Sequence, residues 1–166
     1  EYAANLSAFY DGHKGTLGKG VGVKNADSTM VVVMGGLGRP DIQFVKDMVE
    51  WCKVNREYKK DGSIDLCFDV INYHLYSNDN TGWFGKYVNK KRGVAPELTN
   101  QAEIANMFVD YAESVKKGLE VWVTEAGYDL SATSVQRAIP IGKKNDLITQ
   151  ADWMIRSSLL YARHGI

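Results

Sequence analysis

"TMVVVMGG" (residues 29–36) is a continuous apolar run closed by two glycines, and its reading decides the fold. Such a run, rich in valine and without polar alternation, predicts a strand covered on both faces. Two more strands are then predicted downstream, "IDLCFDVINYHLYS" (64–77) and "LEVWVTEA" (119–126). Between and around them the period changes to that of helices. Pro40 suits a first helical turn, and Ile42, Val45, Val49 and Cys52 follow at helical spacing. A helix from about Asn100 carries Ala105, Phe108, Val109 and Ala112 on one side, with Gly118 as its C-terminal cap. Tyr2 to about Gly12 reads as an opening helix with Leu6, Phe9 and Tyr10 on one side. Thr149 and Asp152 have capping-box spacing before a last helix through about Arg163.

The predicted order is α-β-α-β-α-β-α, which argues for a parallel sheet with right-handed crossovers. The segments after the second and third strands, 79–96 and 127–146, are long and mostly polar. Loops of that length in a compact domain usually carry function, and parallel α/β folds bind ligands at the carboxyl ends of their strands. The 166 residues hold 20 basic and 20 acidic side chains, with 45% hydrophobic and 24% charged content. That balance fits a globular domain and offers no basic stripe for nucleic acid or anionic membrane. No apolar run approaches membrane-spanning length. Cys52 and Cys67 lack metal-ligand spacing and read as small buried hydrophobes. The first residue is glutamate rather than methionine, so a removed export signal, and a secreted or periplasmic location with it, stays open.

The third strand runs straight into a carboxylate, Glu125. Alternation puts Val121, Val123 and Glu125 on one face, with Trp122 and Thr124 on the other. On the second strand, Val70, Asn72, His74 and Tyr76 share a face. A carboxylate there is costly unless hydrogen-bonded, and a tyrosine hydroxyl on the next strand is a suitable donor. Taken alone, a strand-end glutamate caps a helix or pairs with a lysine. Here it coincides with His74, Tyr76 and two long loops on the same side.

"NYHLYS" followed by "VWVTEAGYD" resembles the sixth and seventh strands of the clan A glycoside hydrolases, in particular families 39 and 5. "EYAANLSAFYDGHKG" and "TQADWMIRSSLLYARHGI" resemble the helices after the fourth and seventh strands. The resemblance implies an α/β fold, a partial (β/α)8 TIM barrel with parallel strands 5, 6 and 7 and flanking helices. Residues 1–166 would then be a C-terminal half segment of the catalytic domain, lacking strands 1–4 and 8. It implies Glu125 as catalytic nucleophile, with Tyr76 or His74 hydrogen-bonded to it. The clan's acid/base glutamate follows an asparagine, and this chain has no Asn-Glu pair.

The expected activity is retaining hydrolysis of O-glycosidic bonds in oligo- or polysaccharides. Such enzymes use two carboxyl groups roughly 5–5.5 Å apart. Glu125 supplies one, and the other is expected from the remainder of the barrel: the same polypeptide, another chain or self-association. Trp83, Phe84, Tyr87 and Tyr128 are candidates for stacking on sugar faces, and Asn72 and Asn78 for hydrogen-bonding hydroxyls. Neither metal nor cofactor is expected: the three histidines form no ligand pattern, and "GGLGRP" (35–40) lacks the last glycine of a dinucleotide fingerprint. The alternative reading is a non-catalytic carbohydrate-binding or structural fragment.

Overall fold

A computed structural model describes residues 1–79 and 92–166. Five α-helices and two strands are found among them: α1 (Tyr2–Asp11), α2 (Val23–Ala26), α3 (Ile42–Asn55), β1 (Val70–His74), α4 (Gln101–Val115), β2 (Glu120–Glu125) and α5 (Asp146–Arg163). A 3-10 turn, Pro96–Leu98, leads into α4.

The sheet corrects the expected fold class. It is an α/β mix with one two-stranded parallel sheet, β1 beside β2, and not three parallel strands flanked by helices. The partial barrel is therefore unsupported. Residues 29–36 are not a strand. They reach β1 through single parallel bridges, Val33 to Val70 and Leu37 to Tyr73. The reason is where the backbone donors go. The Val32 N–H donates to the Asp69 carboxylate at 2.8 Å, and the Gly35 N–H to the Tyr2 hydroxyl at 2.7 Å. Only the Met34 and Leu37 N–H groups turn to the backbone of β1, at 3.1 and 3.2 Å. A parallel ladder takes every second N–H; the Val32 donor on that side is spent on a carboxylate, and Met34 and Leu37 are three residues apart, which breaks the alternation.

One face of the sheet is covered by helices. Ile71, Tyr73 and Val121 share a core with Val45, Val49 and Cys52 of α3 and Phe108 and Ala112 of α4. The Tyr73 ring stacks on Phe108 with centroids 4.3 Å apart. α3 starts where Asp41 accepts from the N–H groups of Gln43 and Phe44, a side-chain cap worth about 1 kcal/mol. α5 starts one turn before the expected capping box: Asn145 caps the Ile148 N–H, and Thr149 is buried inside the helix. Phe9, expected on the apolar side of α1, is exposed, and α1 buries Ala3, Leu6 and Ser7 instead.

The ends of α1 and α3 meet at a fully buried arginine. Arg56 donates to both Asp11 carboxylate oxygens, at 2.9 and 2.7 Å, to Ser7 Oγ at 2.6 Å and to the Asp65 carbonyl at 3.0 Å. Burial pushes the Asp11 carboxyl up, and the hydrogen bonds from Arg56 and the Lys14 N–H outweigh it, leaving Asp11 below the usual carboxylate range. Cys52 and Cys67 are free thiols in the core, with sulfurs 3.6 Å apart.

Candidate active site

Glu125 ends β2, and its side chain is 55% exposed, so the carboxylate is open to a ligand. Two groups touch its Oε2: the Tyr76 hydroxyl donates at 3.2 Å and His74 Nδ1 lies at 3.3 Å. Burial, then the hydrogen bond to Glu125 and that carboxylate's negative charge, raise the Tyr76 phenol above its ordinary value, so it remains a donor.

The carboxylate arrives there by a bulge. Val70 pairs with Glu120, Ile71 with Val121, Asn72 with Trp122 and Tyr73 with Val123, but His74 pairs with Glu125. Thr124 is the extra residue. Paired residues of a sheet share a face, so Val121 and Val123 lie with Ile71 and Tyr73 on the helix side. This corrects the expected grouping of Val121 and Val123 with Glu125. Without the bulge Glu125 would follow them; with it, Glu125 joins Asn72 and His74 on the open side.

Thr124, assigned by simple alternation to the opposite face from Glu125, is part of the same cluster. The Asn72 amide donates to the Met34 carbonyl at 3.3 Å, which turns its Oδ1 toward Thr124. The Thr124 hydroxyl donates to that oxygen at 3.0 Å, and its own oxygen is left to accept from His74 Nε2 at 3.2 Å. The imidazole is thus held at Nε2, and its Nδ1 lies 3.3 Å from Glu125. Nothing in the sequence marks Thr124 as a bulge, since neither glycine nor proline stands there.

Gly36 provides the space for this ring. A Cβ at residue 36 would lie 1.9 Å from His74 Nε2 and 2.6 Å from both adjoining ring carbons. The second glycine of the pair that closes the apolar run therefore has a steric role: the backbone of residue 36 lies against the imidazole.

Glu125, His74, Tyr76 and Asn72 are brought together. Asn72 is buried and engaged with the Met34 carbonyl and Thr124. Asn78 lines a cavity of about 440 Å³ whose wall also includes His74 and Tyr76. Tyr128 is not at the site. Its ring packs on Trp153 at 5.0 Å in a second small core with Ala95 and Ala138, and its hydroxyl donates to the Val94 carbonyl at 2.9 Å. A residue just past the strand end looked available for stacking, but the chain turns it inward. Trp83, Phe84 and Tyr87 lie outside the described residues. Among the described residues, no group of three or more His, Cys, Asp or Glu side chains converges to hold a metal ion. No family model matches this chain, and comparisons with curated proteins and with solved structures likewise return no match.

Proposed function

We propose that Glu125 is the nucleophile of a retaining glycoside hydrolase acting on oligo- or polysaccharides. The observation that carries this reading is the open strand-end carboxylate held at one oxygen by Tyr76 and His74. Among the described residues only its Oε2 is engaged, which leaves Oε1 to attack. In the first step Oε1 bonds to the anomeric carbon, and the glycosidic C–O bond breaks with its electron pair leaving on oxygen. Tyr76 keeps the carboxylate oriented while it loses charge to the new bond.

A second carboxyl group must protonate the departing oxygen. None is hydrogen-bonded or ion-paired at Glu125 among the described residues. Residues 80–91 contain neither Asp nor Glu. The chain has no Asn-Glu pair of the kind that carries the acid/base in the clan it resembles, so the acid/base is placed on a partner surface: more of the same polypeptide, another chain or a second copy. Trp122 of β2 and Val31 are both exposed and would add apolar contact to such a surface.

The test is covalent trapping with a 2-deoxy-2-fluoro glycoside carrying a dinitrophenyl leaving group, which departs without an acid. A glycosyl adduct on the peptide containing Glu125, absent in Glu125→Gln, is the expected outcome. No adduct, or one elsewhere, sinks the assignment. The missing second carboxylate favours one other reading, a non-catalytic carbohydrate-binding module. Saturable oligosaccharide binding without labelling would support it.

A further inference from the structure

Cys52 and Cys67 are the two cysteines of the chain, and the fold sets their sulfurs 3.6 Å apart although the residues are 15 positions apart in sequence. Cys52 lies in the last turn of α3, and Cys67 stands just ahead of β1. The chain between them doubles back on itself. The Lys59 N–H donates to the Ser63 carbonyl at 2.8 Å, the Asp65 N–H donates to the Glu57 carbonyl at 3.1 Å, and Tyr58 bridges Ile64 antiparallel. Buried Arg56 ties the same two ends by donating to the Asp65 carbonyl at 3.0 Å. The thiols are therefore held face to face by bonds in which sulfur takes no part. A disulfide is about 2.05 Å long, so the sulfurs have about 1.5 Å left to close, within reach of rotation about their Cα–Cβ bonds.

The protons of the pair are unequally held. The hydrogen bond from the Cys67 thiol keeps Cys52 below the ordinary thiol value against its burial, and the positive charge of Arg56 acts in the same direction. That same bond, together with burial, pushes Cys67 up. Cys52 is thus the sulfur that ionises first, and Cys67 is its donor.

We infer that Cys52 and Cys67 are a dithiol that a low-molecular-weight disulfide converts to an intrachain disulfide, joining the end of α3 covalently to the approach to β1. The inference is independent of the glycosidase reading. The Cys52 thiolate attacks one sulfur of the reagent, whose S–S bond breaks and releases one thiolate. Cys67 then gives up its proton and attacks the Cys52 sulfur of the mixed disulfide, forming the Cys52–Cys67 bond and expelling the second thiolate. The two cysteines are oxidised, the reagent is reduced to two thiols, and the cysteine protons end on those leaving sulfurs. Both thiols are buried, so the first exchange takes place as the chain folds or in a local opening at the end of α3, and native packing brings Cys67 up for the second. The bond closes the loop that the hairpin at 58–64 already folds, which restricts the unfolded chain and leaves the native core in place.

Refolding from urea tests this, with one sample in a mixture of oxidised and reduced glutathione and the other in dithiothreitol. After refolding, each sample is unfolded again and treated with iodoacetamide, and its mass is measured. The chain from glutathione should be a monomer that takes up no iodoacetamide and carries no glutathione, and the chain from dithiothreitol should take up the label at both cysteines. Circular dichroism of the two folded forms should coincide. The urea midpoint of the oxidised form should be higher by roughly 1 M, the scale for a closed loop of this length. In Cys67→Ala the midpoint should no longer respond to the redox buffer. Free thiols after refolding in glutathione, a mixed disulfide that never resolves, altered circular dichroism in the oxidised form, or an oxidised form no more stable than the reduced one would overturn the inference. A gain that survives in Cys67→Ala would overturn it as well, since the stabilisation would then not come from this bond.

Discussion

Gly36→Ala puts one methyl group where the imidazole of His74 now lies. The new Cβ would stand 1.9 Å from Nε2, and ordinary contact begins near 3.4 Å, so the ring must retreat by about 1.5 Å. Residue 36 has no left-handed φ, so alanine meets no backbone penalty there. The clash is with the end of a rotatable side chain, so the fold survives and the site changes. His74 Nε2 is 3.2 Å from Thr124, near the outer limit of a hydrogen bond, and Nδ1 is 3.3 Å from Glu125. A shift of that size leaves neither contact intact. Misplacing a positioning group by about 1 Å can cost on the order of 100-fold in rate, so trapping of Glu125 should slow roughly ten- to hundredfold. The structural readout is independent of reactivity: ring nitrogen and carbon NMR signals of His74 should move in Gly36→Ala. They should stay in place in Gly20→Ala, where an added Cβ meets nothing within 4 Å. Unshifted His74 signals in Gly36→Ala would refute the steric argument, whatever the trapping rate does.

Tyr76→Phe removes the donor to Oε2 and should slow trapping about tenfold while leaving the melting temperature nearly unchanged; an unaltered rate would mean the 3.2 Å contact has no role in reactivity. The chain alone should not hydrolyse unactivated β-glycosides at a measurable rate, since leaving-group protonation is missing; turnover lost in Glu125→Gln would show that an acid/base exists within these residues. Acid should destabilise the fold, because Asp11 and Asp69 are held below the ordinary carboxylate range. Their contribution is complete above the unfolded value near pH 4 and is lost as pH falls through the lower folded values. Asp11→Asn should cost about 3 kcal/mol at neutral pH by leaving buried Arg56 short of a partner, and should flatten the acid limb of a urea-midpoint-versus-pH curve.

Helices α3, α4 and α5 and strand β2 were legible because each has a long apolar period that packing then uses. Glu125, His74 and Tyr76 do meet at the strand ends, but through the bulge at Thr124 and not through the simple alternation that grouped Glu125 with Val121 and Val123. What misled was every feature that depends on a distant hydrogen bond. The run at 29–36 has the composition of a strand, but Asp69 and Tyr2 take the donors at Val32 and Gly35. These partners lie 37 and 33 residues away in the chain, beyond any local pattern. Tyr128 looked like a platform because it follows the strand end. Its hydroxyl finds the Val94 carbonyl 34 residues back, and the ring goes with it. The buried Arg56 shows the same limit, because nothing near it in sequence announces Asp11 as its partner.

The bulge at Thr124 makes the position of the carboxylate a question of parity. Between Val123, whose partner Tyr73 stacks on Phe108, and Glu125 stands a single residue that has no partner on β1. Counting along the strand, odd and even positions face opposite media: one meets packed aromatic rings, the other water. Deleting Thr124 would leave the composition of the strand end almost untouched and shift Glu125 by one place in the count. With it gone, Glu125 would follow Val123 directly, and ordinary alternation would set it opposite His74 on the watery side with no bulge at all, at the cost of the hydroxyl that links Asn72 to His74. The strand end thus carries one residue more than its alternation needs, and the bulge absorbs that residue so that a threonine can stand ahead of the acid without turning the acid into the core.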